Sequence, residues 1–241
     1  MKERDNKFKE KEFMTPLQIA IDGPVASGKG DISARLAKEL GLVYVYTGAM
    51  YRTLALACLE NNVPLKDEGK VLELLAKINV DLVDPDKTSE YSYKALLDGR
   101  DVTERITHPD TSMGASDVST LPHVRVEMVK RQQKIAQNKR VVMEGRDIGL
   151  RVLPNARLKI YLTASLSERA KRRQLQWESK GIKKTFGEVL KETRERDRQD
   201  MERSIDPLQK LPDAWELDTT RLKQEQVVTK IKEELVHRHL L

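Results

Sequence analysis

Gly23, Gly28 and Lys29 stand in the spacing G-x-x-x-x-G-K, within the segment LQIAIDGPVASGKGDISARLAKEL at residues 17–40. A loop of that spacing turns its backbone N–H groups inward around polyphosphate, and the helix that follows adds positive partial charge from its N-terminus. A lysine at the end of the loop reaches the outer phosphates. Gly23, Pro24, Val25, Ala26, Ser27, Gly28, Lys29, Gly30 and Asp31 are therefore the expected cradle for a nucleoside triphosphate. One irregularity sits inside it. The residue after the lysine is Gly30 rather than serine or threonine, and the next is the acid Asp31.

Three further groups carry chemistry. Thr47-Gly48-Ala49-Met50-Tyr51-Arg52 offers a hydroxyl and a guanidinium, and Glu144-Gly145-Arg146-Asp147 offers a guanidinium between two acids. Arg196, Asp200 and Arg203 follow one another at spacings of four and three, which puts them on one helical face. Arginine's planar fork meets phosphate oxygens two at a time and keeps its charge at every working pH. A carboxylate accepts from the exocyclic amine of a base or holds a ribose hydroxyl. The acceptor these groups suit is a nucleoside monophosphate. Taken alone, RERDRQDMER is also what a solvated helix with weak surface ion pairs looks like.

The elements that must position these groups are legible in the apolar pattern. Ile19, Ala20 and Ile21 make a buried strand before the loop, and Ile32, Leu36 and Leu40 line one face of the helix after it. LVYVY at 42–46 predicts a second strand, followed by a helix that Thr47 caps. Repeated strand-then-helix units predict a parallel α/β sheet, and open sheets of that kind bind ligands at their strand ends. Residues 61–105 change character: a short helix, VLELLAKI, then turn-rich pieces with a hairpin-like turn at Asp98-Gly99. Beyond them the pattern predicts a helical stretch over 110–138 and strands over 141–145 and 158–164. Two charged helices, a last strand in WELDTT and a closing amphipathic helix complete the chain.

Composition sets the outer limits. The chain has 241 residues, 39% of them hydrophobic, enough for a packed interior. A net charge of +6 suits an anionic partner without saying which. Basic residues are interleaved with acids and no aromatic stacking platform is evident, which argues against nucleic acid as the partner. The single cysteine, Cys58, excludes a disulfide framework and a cysteine metal cluster. No apolar run approaches the roughly 20 residues that span a bilayer. Residues 1–14, rich in both charges, read as a mobile tail, and the expected location is cytoplasmic.

In order along the chain, IDGPVASGKG, TGAMYR, GRDIG, SERAKRR, RERDRQD and DTT closely resemble the motifs of bacterial-type cytidylate kinases, over about residues 17–235. The resemblance implies the P-loop nucleoside monophosphate kinase fold: a parallel sheet flanked by helices, with an inserted α+β acceptor-binding subdomain and a small lid. The core would be residues 15–60 and 106–241, the insertion 61–105 and the lid about 168–185, with Arg169, Arg172 and Arg173 at its base. It implies transfer of the γ-phosphoryl of ATP to CMP or dCMP, with Mg²⁺, by a monomer that engages neither nucleic acid nor membrane. The alternatives are a kinase of the same fold with another acceptor, and a nucleotide-dependent RNA-binding protein.

The same resemblance implies residue roles. Lys29, Arg146 and Arg203 would be catalytic, and Thr47, Arg52, Ser116, Arg125, Arg146, Asp147, Arg196, Asp200 and Arg203 would bind CMP. Within that set Ser116, Arg196 and Asp200 look like the sugar contacts and Arg125 and Asp147 like the base readers, while Arg52 and Arg146 suit the acceptor phosphate. No side chain is expected to ligate metal directly; Asp31 is expected to act through a water. The family usually has an acid where this chain has Tyr46, and Ser or Thr where it has Gly30 and Asp31.

Overall fold

The structure is a computed structural model that describes residues 16–241; the expected tail over residues 1–14 lies outside the described residues. Strand β1 (Gln18–Asp22) lies mid-sheet, with buried residues on both faces, as a near-continuous apolar run demands. With β2 (Val43–Tyr46), β6 (Val141–Gly145), β7 (Leu158–Thr163) and β8 (Trp215–Asp218) it forms a five-stranded sheet in the order β2-β6-β1-β7-β8. Every pairing in that sheet is parallel. The register pairs Tyr46 with Glu144 and Asp22 with Gly145, so three strands end at one level. Their C-terminal ends form the edge on which the chemistry-bearing groups assemble.

Helix α1 (Lys29–Leu40) leaves the loop at Gly28, whose φ of +94° is a conformation that few other residues adopt. Ile32 and Leu36 bury against the sheet. At Gly23 the constraint is contact rather than torsion: a Cβ there would lie 2.0 Å from the Leu162 carbonyl oxygen of β7. Gly23→Ala is therefore expected to push the loop off the sheet, at a cost of about 1–3 kcal/mol in unfolding free energy. Thermal denaturation checks this, with a markedly lower Tm as the expected result.

Helix α2 (Thr47–Glu60) is followed by α3 (Glu68–Lys77), which precedes a separate antiparallel sheet. That sheet comprises β3 (Val80–Val83), β4 (Lys94–Leu97) and β5 (Arg100–Asp101). The turn at Asp98-Gly99 has φ of +51° and +81°, the two positive values of a type I′ hairpin. Ala95, Leu97 and Ile106 pack with Ala49 and Leu56 of α2, so this unit leans on the core.

The helical stretch expected over 110–138 is two helices, α4 (Pro109–Val118) and α5 (Pro122–Ala136). Pro122 disfavours helical torsions at Leu121, whose ψ is 118°, and opens the second helix at the position where its missing N–H costs nothing. A wide π-type turn (Ile148–Val152) follows β6. Helix α6 (Leu166–Glu178) and helix α7 (Phe186–Glu202) pack on each other, the second opened by a capping box between Thr185 and Glu188. Helix α8 (Gln224–His237) packs beside α1 on the same face of the sheet, over Ile19, Ile21 and Ile160. Among the described residues no helix is long and apolar enough to cross a membrane. Cys58 is buried and burial pushes its pKa up to about 11, so it is an inert core thiol.

Candidate active site

Lys29 is buried at the mouth of the loop. Its Nζ donates to the carbonyl oxygens of Gly23 and Pro24, both at 2.8 Å, and lies 3.4 Å from Ser27 Oγ. Burial, with help from the Arg146 guanidinium, pushes its pKa down to about 7 against the pull of Glu144, Asp200 and Asp22. These five groups share one small volume where β1 and β6 end.

The back of the loop is held by charge. Asp197 of α7 accepts from the Val25 N–H at 3.2 Å and from Arg169 Nη1 at 2.5 Å. Arg169 also donates to the carbonyls of Ala164 and Val25. Arg172 donates to the Ser27 carbonyl and to both oxygens of Thr219. Two of the three expected lid arginines thus brace loop carbonyls. The third, Arg173, lies over the Trp177 ring at 4.2 Å, and burial with the nearby charges of Arg196 and Arg52 lowers its pKa to about 10.

Arg146 and Asp200 form the inner ion pair, Nε to Oδ2 at 2.6 Å, both largely buried. For Asp200 the upward push of burial is outweighed by Arg146 and Arg196, and its carboxyl sits below the usual range. Thr47 donates its hydroxyl to the Glu144 carbonyl at 2.8 Å and so ties α2 to the end of β6. The Glu144 carboxyl is buried, and burial raises its pKa against the attraction of Lys29, Arg146 and Arg52.

A second cluster lies further out. Arg125 is 1% exposed, yet it carries a charge that pairs with Asp147 and, at 3.7 Å, with Asp206. Arg203 approaches Asp147 at 3.4 Å and donates Nε to the Asp206 carbonyl at 2.7 Å. The Tyr51 ring lies 5.8 Å from the Arg125 guanidinium, and the Tyr51 hydroxyl is buried without a partner. Ser116 Oγ and Arg196 Nε are likewise buried and unpartnered. Arg52 spans from the Ile106 carbonyl to Ser112 Oγ, and Arg196 reaches the Ser112 carbonyl, so both rest on the turn into α4 and on α4 itself. The expected acceptor residues therefore divide between an inner group at the sheet edge and an outer group against α2, α4 and α5.

Two of the departures have clear local settings. Asp31 is exposed and turned outward, its Oδ2 accepting from Gln224 Nε2 of α8 at 3.0 Å. The Tyr46 ring packs edge-on to Tyr93 at 5.3 Å and lies 5.9 Å from the Arg52 guanidinium, over the start of its own helix at Gly48.

Three residues of this site were not singled out from sequence. Asp22 accepts from the N–H groups of Ile148 and Gly149, both at 2.8 Å, and burial pushes its pKa up to about 6. It pins the turn that carries Arg146 and Asp147 to the root of the phosphate loop. Its signal was available: an acid directly between a buried strand and a phosphate loop. Asp197 lay inside RERDRQD but off the face that Arg196, Asp200 and Arg203 share. Asp206 had no signal beyond its charge.

The chain is similar to known proteins along most of its length. A family model described as cytidylate kinase matches residues 19–237. The cytidylate kinase of Caldicellulosiruptor bescii is 46% identical over 220 residues, covering 91% of this chain and 96% of that protein. That of Bacillus subtilis is 44% identical over 217 residues, covering 90% and 95%. Among solved structures, a shikimate kinase from Acinetobacter baumannii in complex with shikimate aligns over 96% of this chain and 99% of its own. Its TM-score of 0.46 and 13% identity are too low to bear on the chemistry.

Proposed function

The chain belongs to the cytidylate kinase family, and on that footing we propose a division of labour within the cleft. The reaction is transfer of the γ-phosphoryl group of ATP to CMP or dCMP, giving ADP and CDP or dCDP. The loop from Gly23 to Gly30 cradles the ATP phosphates and Lys29 meets the β- and γ-oxygens. Arg52 and Arg146 take the acceptor phosphate. Ser116, Arg196 and Asp200 hold the sugar, and Asp147, backed by Arg125 and Arg203, reads the base. The chain's own residues supply the whole set, which supports action as a monomer.

Little covalent chemistry falls to the protein, because phosphoryl transfer is governed by positioning and charge. The attacking oxygen of the acceptor is already anionic near neutral pH, so no strong general base is needed. Arg146, with its charge secured by Asp200, is placed to offset charge between donor and acceptor phosphates. Arg173 of α6 would add positive charge from the expected lid segment, and closure of that segment would exclude water.

Mg²⁺ fits the donor set. Among the described residues no three His, Cys, Asp or Glu converge as a metal cage. Mg²⁺ keeps most of its waters and takes one or two carboxylates beside substrate phosphates. One buried carboxylate, Glu144, stands beside Lys29 and Gly30 and fits that role better than the outward Asp31. Bound there, Mg²⁺ supplies charge neutralisation at the phosphate oxygens.

The observation that carries this reading is the meeting of Lys29 with the Arg146–Asp200 pair where β1 and β6 end. Coupled-assay turnover across CMP, dCMP, UMP and AMP, with Mg²⁺ varied, tests it: preference for the two cytidine acceptors is expected, and equal use of UMP or AMP would displace it. Tight, salt-sensitive RNA binding would instead favour the RNA-binding alternative. The depressed pKa of Lys29 adds a further expectation. Polyphosphate favours the charged amine, so Lys29 charges on binding ATP above pH 7. Calorimetry at pH 8 in buffers of different ionisation enthalpy should show uptake of about one proton per ATP at this group. ATP affinity should fall as pH rises beyond 7.

A further inference from the structure

Phosphate loops commonly place a hydroxyl directly after their lysine to meet Mg²⁺. Here residue 30 is glycine and offers none. A Cβ built on Gly30 would lie 3.6 Å from the Tyr44 hydroxyl and 3.6 Å from Glu144 Oε1, ordinary contact distances. The space beside Gly30 is thus bordered by a hydroxyl from β2 and a carboxylate from β6. The two are neighbours themselves, the Tyr44 hydroxyl donating to Glu144 Oε1 at 3.5 Å. The other polar side chain nearby in sequence, Asp31, is engaged with Gln224.

We propose that the Tyr44 hydroxyl does the metal-side work that a hydroxyl at residue 30 would otherwise do. It donates its proton toward Glu144 and presents its lone pairs to the hydration shell of Mg²⁺ at the ATP phosphates. Glycine at position 30 is then the complement of a tyrosine that reaches in from the neighbouring strand. Tyr44 is a positioning residue in this account, since it acts through metal-bound water. The inference rests on the reading above that the loop holds ATP with Mg²⁺.

The test compares the native chain with Tyr44→Phe, Gly30→Ser and the double variant Tyr44→Phe/Gly30→Ser. Titration calorimetry gives the ATP Kd with and without Mg²⁺, and the ratio of the two is the quantity read. Mn²⁺ binding to the ATP complex, followed by electron paramagnetic resonance, reports metal affinity directly. Tyr44→Phe is expected to shrink the ratio about fivefold, the scale of one hydrogen bond, while leaving the Mg²⁺-free Kd unchanged. The double variant is expected to regain most of the ratio, because the serine Oγ enters the space the phenol oxygen vacates. A ratio unchanged in Tyr44→Phe overturns the proposal, as does an equal loss with and without Mg²⁺ or a double variant no better than Tyr44→Phe. A native chain whose ATP affinity ignores Mg²⁺ overturns the site reading as well. A Mg²⁺-dependent native chain beside an unchanged Tyr44→Phe overturns this inference alone.

Discussion

Lys29→Met is expected to lower kcat for transfer from ATP to CMP by about a thousandfold, while the KM for CMP moves less than about tenfold. The methionine keeps the buried stem and removes only the charge and its three donors. Among the described residues, no other cation donates to the carbonyls of Gly23 and Pro24 where the loop opens. Charge preorganised in a dry site is worth far more than the same charge in water, which is why a single amine carries so large an effect. The fold should not suffer. Burial holds the Lys29 pKa at about 7, so the unfolded chain binds more protons than the folded one between that value and its ordinary range. Near neutral pH the charged amine therefore opposes folding, and removing it leaves Tm level or raised. Steady-state kinetics with calorimetric melting checks both halves; a kcat within tenfold of native would displace Lys29 from its role.

Asp147→Ala is expected to cost on two counts at once. As base reader it should raise the KM for CMP by about ten- to a hundredfold, the worth of one well-placed base contact, with the ATP Kd unchanged. It also strips the main partner from Arg125, a guanidinium 1% exposed. An unpaired buried charge costs about 3–5 kcal/mol, and the lower end applies because Asp206 still faces Arg125 at 3.7 Å. A clear fall in Tm should accompany the kinetic defect. Asp147→Asn separates the two effects, since it fills the space and accepts one hydrogen bond from Arg125 while altering the pattern shown to the base. An Asp147→Ala enzyme with native CMP KM would remove Asp147 from the acceptor site whatever its stability.

How much of this was legible depends on how local the cause is. Strands β1, β2, β6 and β7 could be read from apolar runs, and the loop from three residues whose spacing is itself the mechanism. Pro122 was visible too, but the helical pattern on either side of it masked the break that its ring imposes on Leu121. The outward turn of Asp31 was beyond reach, because it depends on Gln224, a residue 193 positions away. The same holds for Arg169 and Arg172, whose spacing marks a helix face but not the loop carbonyls that face meets. Charge pairs such as Arg125–Asp147 and Arg146–Asp200 join the turn after β6 to helices α5 and α7, which only tertiary packing brings beside it.

Trp177 gives the chain an optical use. Two cations lie over its indole, Arg173 at 4.2 Å and Lys184 at 5.3 Å from the ring centre. The other tryptophan, Trp215, packs against the aliphatic core around α1 and α8. Replacing Trp215 by phenylalanine leaves one tryptophan, whose emission, excited apart from that of the six tyrosines, follows the cations beside it. Any rearrangement that draws Arg173 toward phosphate becomes a change in light, with no dye attached.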